Sequence, residues 1–213
     1  MTPRSRSSGG APFALGLVLL ASACASGASE PRVVQPGAPG QRGTVVGADR
    51  AMAAGPAHTP ADVQFMQGMM PHHAQALEMA ALVESREAGE AVRAMALRMQ
   101  ISQRDEIALI ERWLSAHGEA ASGGDHAGHT MMPGMLSPEQ MARLRSARGE
   151  EFDRLFLEYM IQHHEGAITM VRTLFATSGG AQDSEIFQFA NDVETDQRIE
   201  IDRMRQVLQG GAR

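Results

Sequence analysis

One helical unit is used twice in this chain, and that duplication constrains the fold more than any other feature. Phe65-Met66-Gln67-Gly68-Met69-Met70-Pro71-His72-His73 in the first half is answered by Phe156-Leu157-Glu158-Tyr159-Met160-Ile161-Gln162-His163-His164 in the second. Each copy places an aromatic residue seven positions before its first histidine and a methionine three before it. The correspondence runs further. Asp62-x-x-Phe65 matches Asp153-x-x-Phe156, Leu77 matches Ile168, and Met79 matches Met170. In the segments that follow, Gln103-x-x-Glu106-Ile107 matches Gln197-x-x-Glu200-Ile201. The repeated unit is therefore a helical hairpin. One hairpin cannot bury its apolar faces alone, so two packed together predict an all-α four-helix bundle.

Local signals place the helices. Thr59-Pro60-Ala61-Asp62 supplies a cap, a proline at the first helical position and an early acid. Phe65, Met69, Ala76, Met79 and Val83 then recur on one stripe. A second helix is predicted from about Gly89 to Ala116, with Val92, Met95, Met99, Ile107, Ile110 and Leu114 facing inward. Ser137-Pro138-Glu139-Gln140 is a capping box. It opens a third segment, bent near Gly149, that continues through Phe152, Phe156, Tyr159, His163, Ala167, Met170 and Leu174. A fourth helix covers about Ser184 to Leu208. Pro71 lies inside the first helix and is expected to kink it just before His72.

The first residues read as an export signal rather than as fold. Arg4 and Arg6 precede an apolar run from Ala11 to Ala21, too short to span a bilayer as a mature helix. It ends in Leu20-Ala21-Ser22-Ala23-Cys24, and Cys24 is the only cysteine. The pattern resembles a bacterial lipoprotein signal over residues 1–23, with Cys24 lipidated and the protein anchored to a membrane of the cell envelope, on its periplasmic side or at the cell surface. The alternative is ordinary signal-peptide cleavage nearby, leaving a free thiol. Residues 24–58 are rich in Gly, Pro, Ala and Ser and read as a flexible tether. The bundle domain is then 59–209. The chain contains no lysine and has a formal charge of −6, which disfavours nucleic acid as a partner.

On a helix, residues three and four apart share a face, so each copy sets Met69 beside His72 and His73, or Met160 beside His163 and His164. All four histidines fall on apolar stripes. The bland account is a buried polar network in which Gln103, Glu106, Gln197 and Glu200 satisfy the imidazoles. A single histidine–glutamate pair per hairpin would serve that purpose, and it leaves the adjacent, methionine-flanked pairs unexplained. Metal ligation accounts for both: imidazoles and thioethers hold the ion, and the Gln/Glu positions orient the rings.

Zinc is less favoured, because a structural zinc site wants four firm ligands, often with cysteine. Iron is less favoured too, because a di-iron bundle needs Glu-x-x-His, which does not occur in this sequence. Mixed imidazole and thioether donors suit copper in both oxidation states. The loop at about 119–136 carries His126, His129, Met131, Met132 and Met135 without helical or strand period. Such a tract reads as a capture segment for a soft metal; the alternatives are a Met-rich linker or an apolar latch.

The Asp-x-x-Phe and Met-x-x-His-His units, with Ala76, Leu77 and Met79 after the first and Ala167, Ile168 and Met170 after the second, resemble the bacterial family known as domain-of-unknown-function number 305. So do the Gln-x-x-Glu-Ile segments. The resemblance covers about residues 60–208. It implies a ferritin-like helical bundle, usually exported, with copper binding and tolerance in some members. It carries over to Met69, His72, His73, Met160, His163 and His164. Gln162, standing where the first copy has Pro71, leaves the equivalence of the two sites open.

Together these observations predict an exported, lipid-anchored copper-binding protein for buffering, capture or delivery, to which a copper-handling partner protein would be a natural complement. A homodimer through the outer face is compatible with the pattern. Two rivals stand: a metal-dependent oxidase using copper or iron in the bundle, and a metal-free structural or interaction module. No nucleophile arrangement for hydrolysis is visible, and the pattern favours binding over catalysis.

Overall fold

The computed structural model describes residues 32–35, 44–47, 58–121 and 132–210. The chain divides into two units, Met1–Ala51 and Met52–Arg213. In the first, Arg32–Gln35 (β1) pairs antiparallel with Thr44–Gly47 (β2), Val33 opposite Val46 and Val34 opposite Val45. Of residues 24–58, read above as a flexible tether, only these strands and His58 are described. The two valine pairs have the β-branched shape that favours strand pairing, in runs too short to register as a period. The signal segment 1–23 and Cys24 lie outside the described residues.

The described part of the second unit is all-α. Its helices are α1 (Pro60–Ala81), α2 (Glu90–Ala116), α3 (Pro138–Ser146), α4 (Gly149–Ala176) and α5 (Ser184–Gly210), with a 3₁₀ turn at Leu82–Ser85 after α1. Both caps read from the sequence form reciprocal boxes. Thr59 Oγ1 accepts from Asp62 N while Asp62 Oδ2 accepts from Thr59 N at 2.8 Å. Ser137 and Gln140 do the same, satisfying amides that the helix itself leaves free. α1 runs through Pro71 without interruption.

The third segment differs from expectation. It is a break and not a bend: Ala147 and Arg148 are extended, and Gly149 restarts the helix at φ +56°. That left-handed conformation is one glycine adopts without a Cβ penalty. It turns the Gly149 amide towards Arg86 O, which accepts from it at 2.8 Å. The described residues therefore hold four long helices and one short one.

α1 packs along α2, α4 along α5, and α1 against α4. Partners across each interface run in opposite directions: Gln67 reaches Ala120 while His73 reaches Glu106, and Arg172 reaches Glu194 while His164 reaches Glu200. The core has two apolar layers. Phe65, Met69, Trp113, Val171 and Phe189 belong to one, and Met79, Met99, Phe156, Met160 and Met204 to the other. Going along each long helix, the chain leaves one layer and enters the other. Between them lie His72 and His73, Gln103 and Glu106, His163 and His164, and Gln197 and Glu200.

Two aspartates tie the halves together reciprocally. Asp62 of the first hairpin is fully buried, and its Oδ1 accepts from Ala181 N in the turn of the second at 2.7 Å. Asp153 of the second hairpin accepts from Gly89 N in the turn of the first at 2.9 and 3.1 Å. Asp62 also holds Thr59 through its backbone and hydroxyl. Ala181 has φ +54°, a conformation disfavoured for a residue with a Cβ, and the buried hydrogen bond to Asp62 offsets that cost.

Candidate metal centre

The middle layer is where the sequence repeat becomes chemistry. His72, His73, His163 and His164 are all buried, as are Gln103 and Gln197. The rings of His72 and His163, one from each hairpin, lie 3.8 Å apart between centroids with 37° between planes. His73 and His164 flank them, each turned towards a glutamate of its own hairpin.

One nitrogen is hydrogen-bonded in three of the four rings. His163 Nε2 donates to the backbone carbonyl of His72 at 3.0 Å, and His72 Nε2 donates to Pro133 O at 3.1 Å. A carbonyl can only accept, so both Nε2 atoms carry the proton and both Nδ1 atoms carry the lone pair. His164 Nε2 donates to Glu200 Oε2 at 2.6 Å. His73 Nε2 lies 2.5 Å from Glu106 Oε2, within ion-pair range but off the hydrogen-bond direction, so neither atom has a hydrogen-bond partner. The Nδ1 atoms of all four rings are buried and unpartnered.

An orphaned buried polar atom costs about 1–3 kcal/mol, and four of them in one layer ask for a reason. Burial, and next the proximity of His73, pushes the His72 pKa down to about 3. Burial, and next His72, holds His163 well below the usual imidazole range. Both rings are therefore neutral at physiological pH, the form in which imidazole binds a transition metal. Among the described residues, no three His, Cys, Asp or Glu side chains already surround one point as a metal site. The residues fit a metal in donor type and protonation state, and ligation requires the rings to move.

The expected orienting residues divide. Glu106 and Glu200 reach a histidine, whereas Gln103 Oε1 and both polar atoms of the Gln197 amide have no partner. The glutamates face His73 and His164 across their hairpins, and the glutamines lie nearly one turn away along the same helices. Burial raises the Asp196 carboxyl above its ordinary range, with Glu106 and then Glu200 contributing. The outer edge of the layer between α2 and α5 is thus acidic.

The end of the loop read above as a capture tract, with an apolar latch as an alternative, covers the inner edge. Met132-Pro133-Gly134-Met135 forms a turn closed from Met135 N to Met132 O, with Gly134 at φ +78°. Pro followed by Gly in the middle of a turn is the signal that could have found it. The backbone from Pro133 to Leu136 lies as a strap across α1 and α4. Gln75 exchanges two hydrogen bonds with Leu136, 3.1 Å to its O and 2.7 Å from its N. Gln162 Nε2 donates to Gly134 O and its Oε1 accepts from Gln140. A Cβ on Gly166 would lie 2.0 Å from Pro133 O. Two departures from perfect repetition, Gln162 for Pro71 and Gly166 for Gln75, are among the places where the strap meets the helices.

Met69 and Met160 are fully buried, in opposite apolar layers directly beside the histidines. Met132 lines a shallow groove with Gly68 and Met170, and Met135 is partly buried. His126, His129 and Met131 lie outside the described residues.

Fold and site define an all-α protein with a duplicated, histidine-lined interior. The chain belongs to the DUF305 family, described as a domain of unknown function, whose model matches residues 62–208. A DUF305 fragment from Deinococcus radiodurans is 36% identical, with a TM-score of 0.64 over 72% of this chain and 99% of that one. A DUF305 protein from Streptomyces coelicolor, whose name suggests secretion, is 25% identical with a TM-score of 0.64 over 70% and 93%. CopM in its Cu(II)-bound form is 28% identical with a TM-score of 0.58 over 70% and 96%. No curated protein matches the chain.

Proposed function

We propose that this chain is an exported copper-binding protein that buffers, captures or delivers the metal, and that the histidine layer is its principal site. The observation that carries the reading is the set of four buried Nδ1 atoms left unpartnered, while Nε2 is hydrogen-bonded in three of the rings and lies beside Glu106 in the fourth. A purely structural network gains nothing from that arrangement, since each orphan only destabilises it. A metal site needs it, because the held nitrogen sets the tautomer and aims the other one. CopM, a relative seen with Cu(II), supports copper as the ion.

In this reading His72, His73, His163 and His164 supply imidazole, and Met69 and Met160 supply thioether from either side. Glu106 and Glu200 orient two of the rings and lend the outer edge its attraction for cations. The tract containing His126, His129, Met131, Met132 and Met135 acquires the ion. The four long helices form a ferritin-like four-helix bundle, tethered to the membrane through lipid on Cys24. The Streptomyces relative's name is consistent with export; no helix among the described residues is long and apolar enough to cross a membrane. A competition titration of the purified, tag-free chain with copper tests the proposal. Uptake that is absent, or undiminished when all four histidines are changed to glutamine, overturns it.

A further inference from the structure

Four residues outside the histidine layer form a second cluster, where α1 begins and α2 ends. His58 precedes the α1 cap, and His117 caps the C-terminus of α2. Gly118 at φ +71° lets the chain turn back, so that Glu119 N donates to Leu114 O at 2.9 Å. This closure of a helix end by a left-handed glycine fixes Glu119 beside the two histidines. Trp113, buried one turn earlier, stacks on His117 with centroids 4.3 Å apart and meets the edge of His58 at 5.3 Å. The two imidazoles are 4.7 Å apart.

Each imidazole keeps one nitrogen free to accept a cation. His117 Nδ1 donates to Trp113 O at 2.8 Å, which leaves the lone pair on Nε2. His58 Nε2 lies 3.3 Å from Glu119 Oε1, which leaves the lone pair on Nδ1. Two imidazoles bound to one ion at about 2.0–2.1 Å place their ring centroids within roughly 6 Å of each other, so the observed separation is within reach. The C-terminal end of α2 is negative, Glu119 adds a carboxylate, and the indole face favours a cation nearby. Both His58 and Glu119 are partly exposed, free to rotate into a closed geometry that the described residues do not yet show.

We propose that His58 and His117 chelate one divalent copper ion at the surface, with Glu119 as oxygen donor and Trp113 as the apolar floor. Copper stands highest among divalent first-row ions for such a donor set. This site shares no residue with the histidine layer, and it stands or falls separately.

Trp113 is the only tryptophan in the chain, so its fluorescence reports on this cluster. Copper(II) chloride titrated into the full, tag-free chain in glycine buffer should quench it saturably, with one equivalent at this cluster in addition to any held by the histidine layer. His58→Gln/His117→Gln should abolish the quench while the copper-free variant still melts cooperatively with wild-type helical content. Glu119→Gln, on an exposed turn, should weaken it about tenfold. His72→Gln/His163→Gln should leave it intact, which separates this site from the buried one. The inference is overturned if copper does not quench the wild type, or if the His58/His117 variant quenches as the wild type does.

Discussion

His163 donates from Nε2 to the backbone carbonyl of His72, so the equivalent rings of the two repeats are bound in a chain and not as mirror partners. His72 has no matching carbonyl from the second repeat and turns its own Nε2 to Pro133 of the strap. The duplication therefore yields two unlike environments from nearly the same motif. One ring is held by the opposite helix, and the other by a segment that lies outside the repeat.

The strap depends on a missing side chain. In Gly166→Ala the new Cβ would meet Pro133 O at 2.0 Å and Gly134 Cα at 2.6 Å, and neither can rotate away. The strap should lift, costing about 1–3 kcal/mol of unfolding free energy. Gly210→Ala, where nothing lies within 4 Å, should change stability by less than about 0.5 kcal/mol. Urea denaturation of the two variants decides it, and equal stabilities would mean that the strap does not press on α4.

The reciprocal aspartates should differ in weight. Asp62 is fully buried and accepts from Ala181, Thr59 N and the Thr59 hydroxyl, whereas Asp153 is only partly buried and accepts from Gly89 alone. Asp62→Ala should cost about 3 kcal/mol or more, and Asp153→Ala about 1 kcal/mol. They bind different turns and share no partner, so the double variant should show the sum to within about 0.5 kcal/mol. Chemical denaturation measures all three.

Acid should unfold the domain through its histidines. His72 has a folded pKa of about 3 against an ordinary value of 6.5, and His163 is shifted in the same direction. Above pH 6.5 both states are neutral and the stability is fully present. Between pH 6.5 and about 3 the unfolded chain takes up protons that the folded one refuses, so stability falls with falling pH. The slope is at most about 1.4 kcal/mol per pH unit for each histidine. Thermal melts of the metal-free chain from pH 8 to 4 should show this decline, and His72→Gln should flatten it. A flat profile in the wild type would contradict the burial described.

Much of this was legible in the sequence. The boxes at Thr59 and Ser137 marked helix starts because capping is local chemistry. Burial of all four histidines followed from their place on apolar stripes. The break at Ala147–Arg148 was not legible, because Gly149 marks a bend or a break equally well until its amide is seen to reach Arg86. A latch was among the alternatives for the loop, but its polar attachment was not legible, for another reason. Its anchors, Gln75 and Gln162, bind backbone atoms, and backbone atoms have no sequence code. Gln103 and Gln197 were expected to serve the rings, but the repeat that identified them records position and not reach. The aspartate correspondence was visible as a pattern, and its reciprocal use was not.

Glu106 and Glu200 test whether the rings are held for a purpose. Replacing either with glutamine keeps the shape and removes the carboxylate that faces His73 or His164. Each change should weaken copper binding about tenfold in a competition titration, and fold stability should move by no more than about 1 kcal/mol. Unchanged affinity in both would remove the glutamates from the proposed site.

The crossed aspartates also set an order of events. The bond from Asp62 to Ala181 spans 119 positions, so this contact between the hairpins cannot form until nearly the whole domain exists. Until then Asp62 Oδ1 lacks the Ala181 amide, although Oδ2 already accepts from Thr59. Each hairpin thus completes the hydrogen bonding of its turn only in the presence of the other.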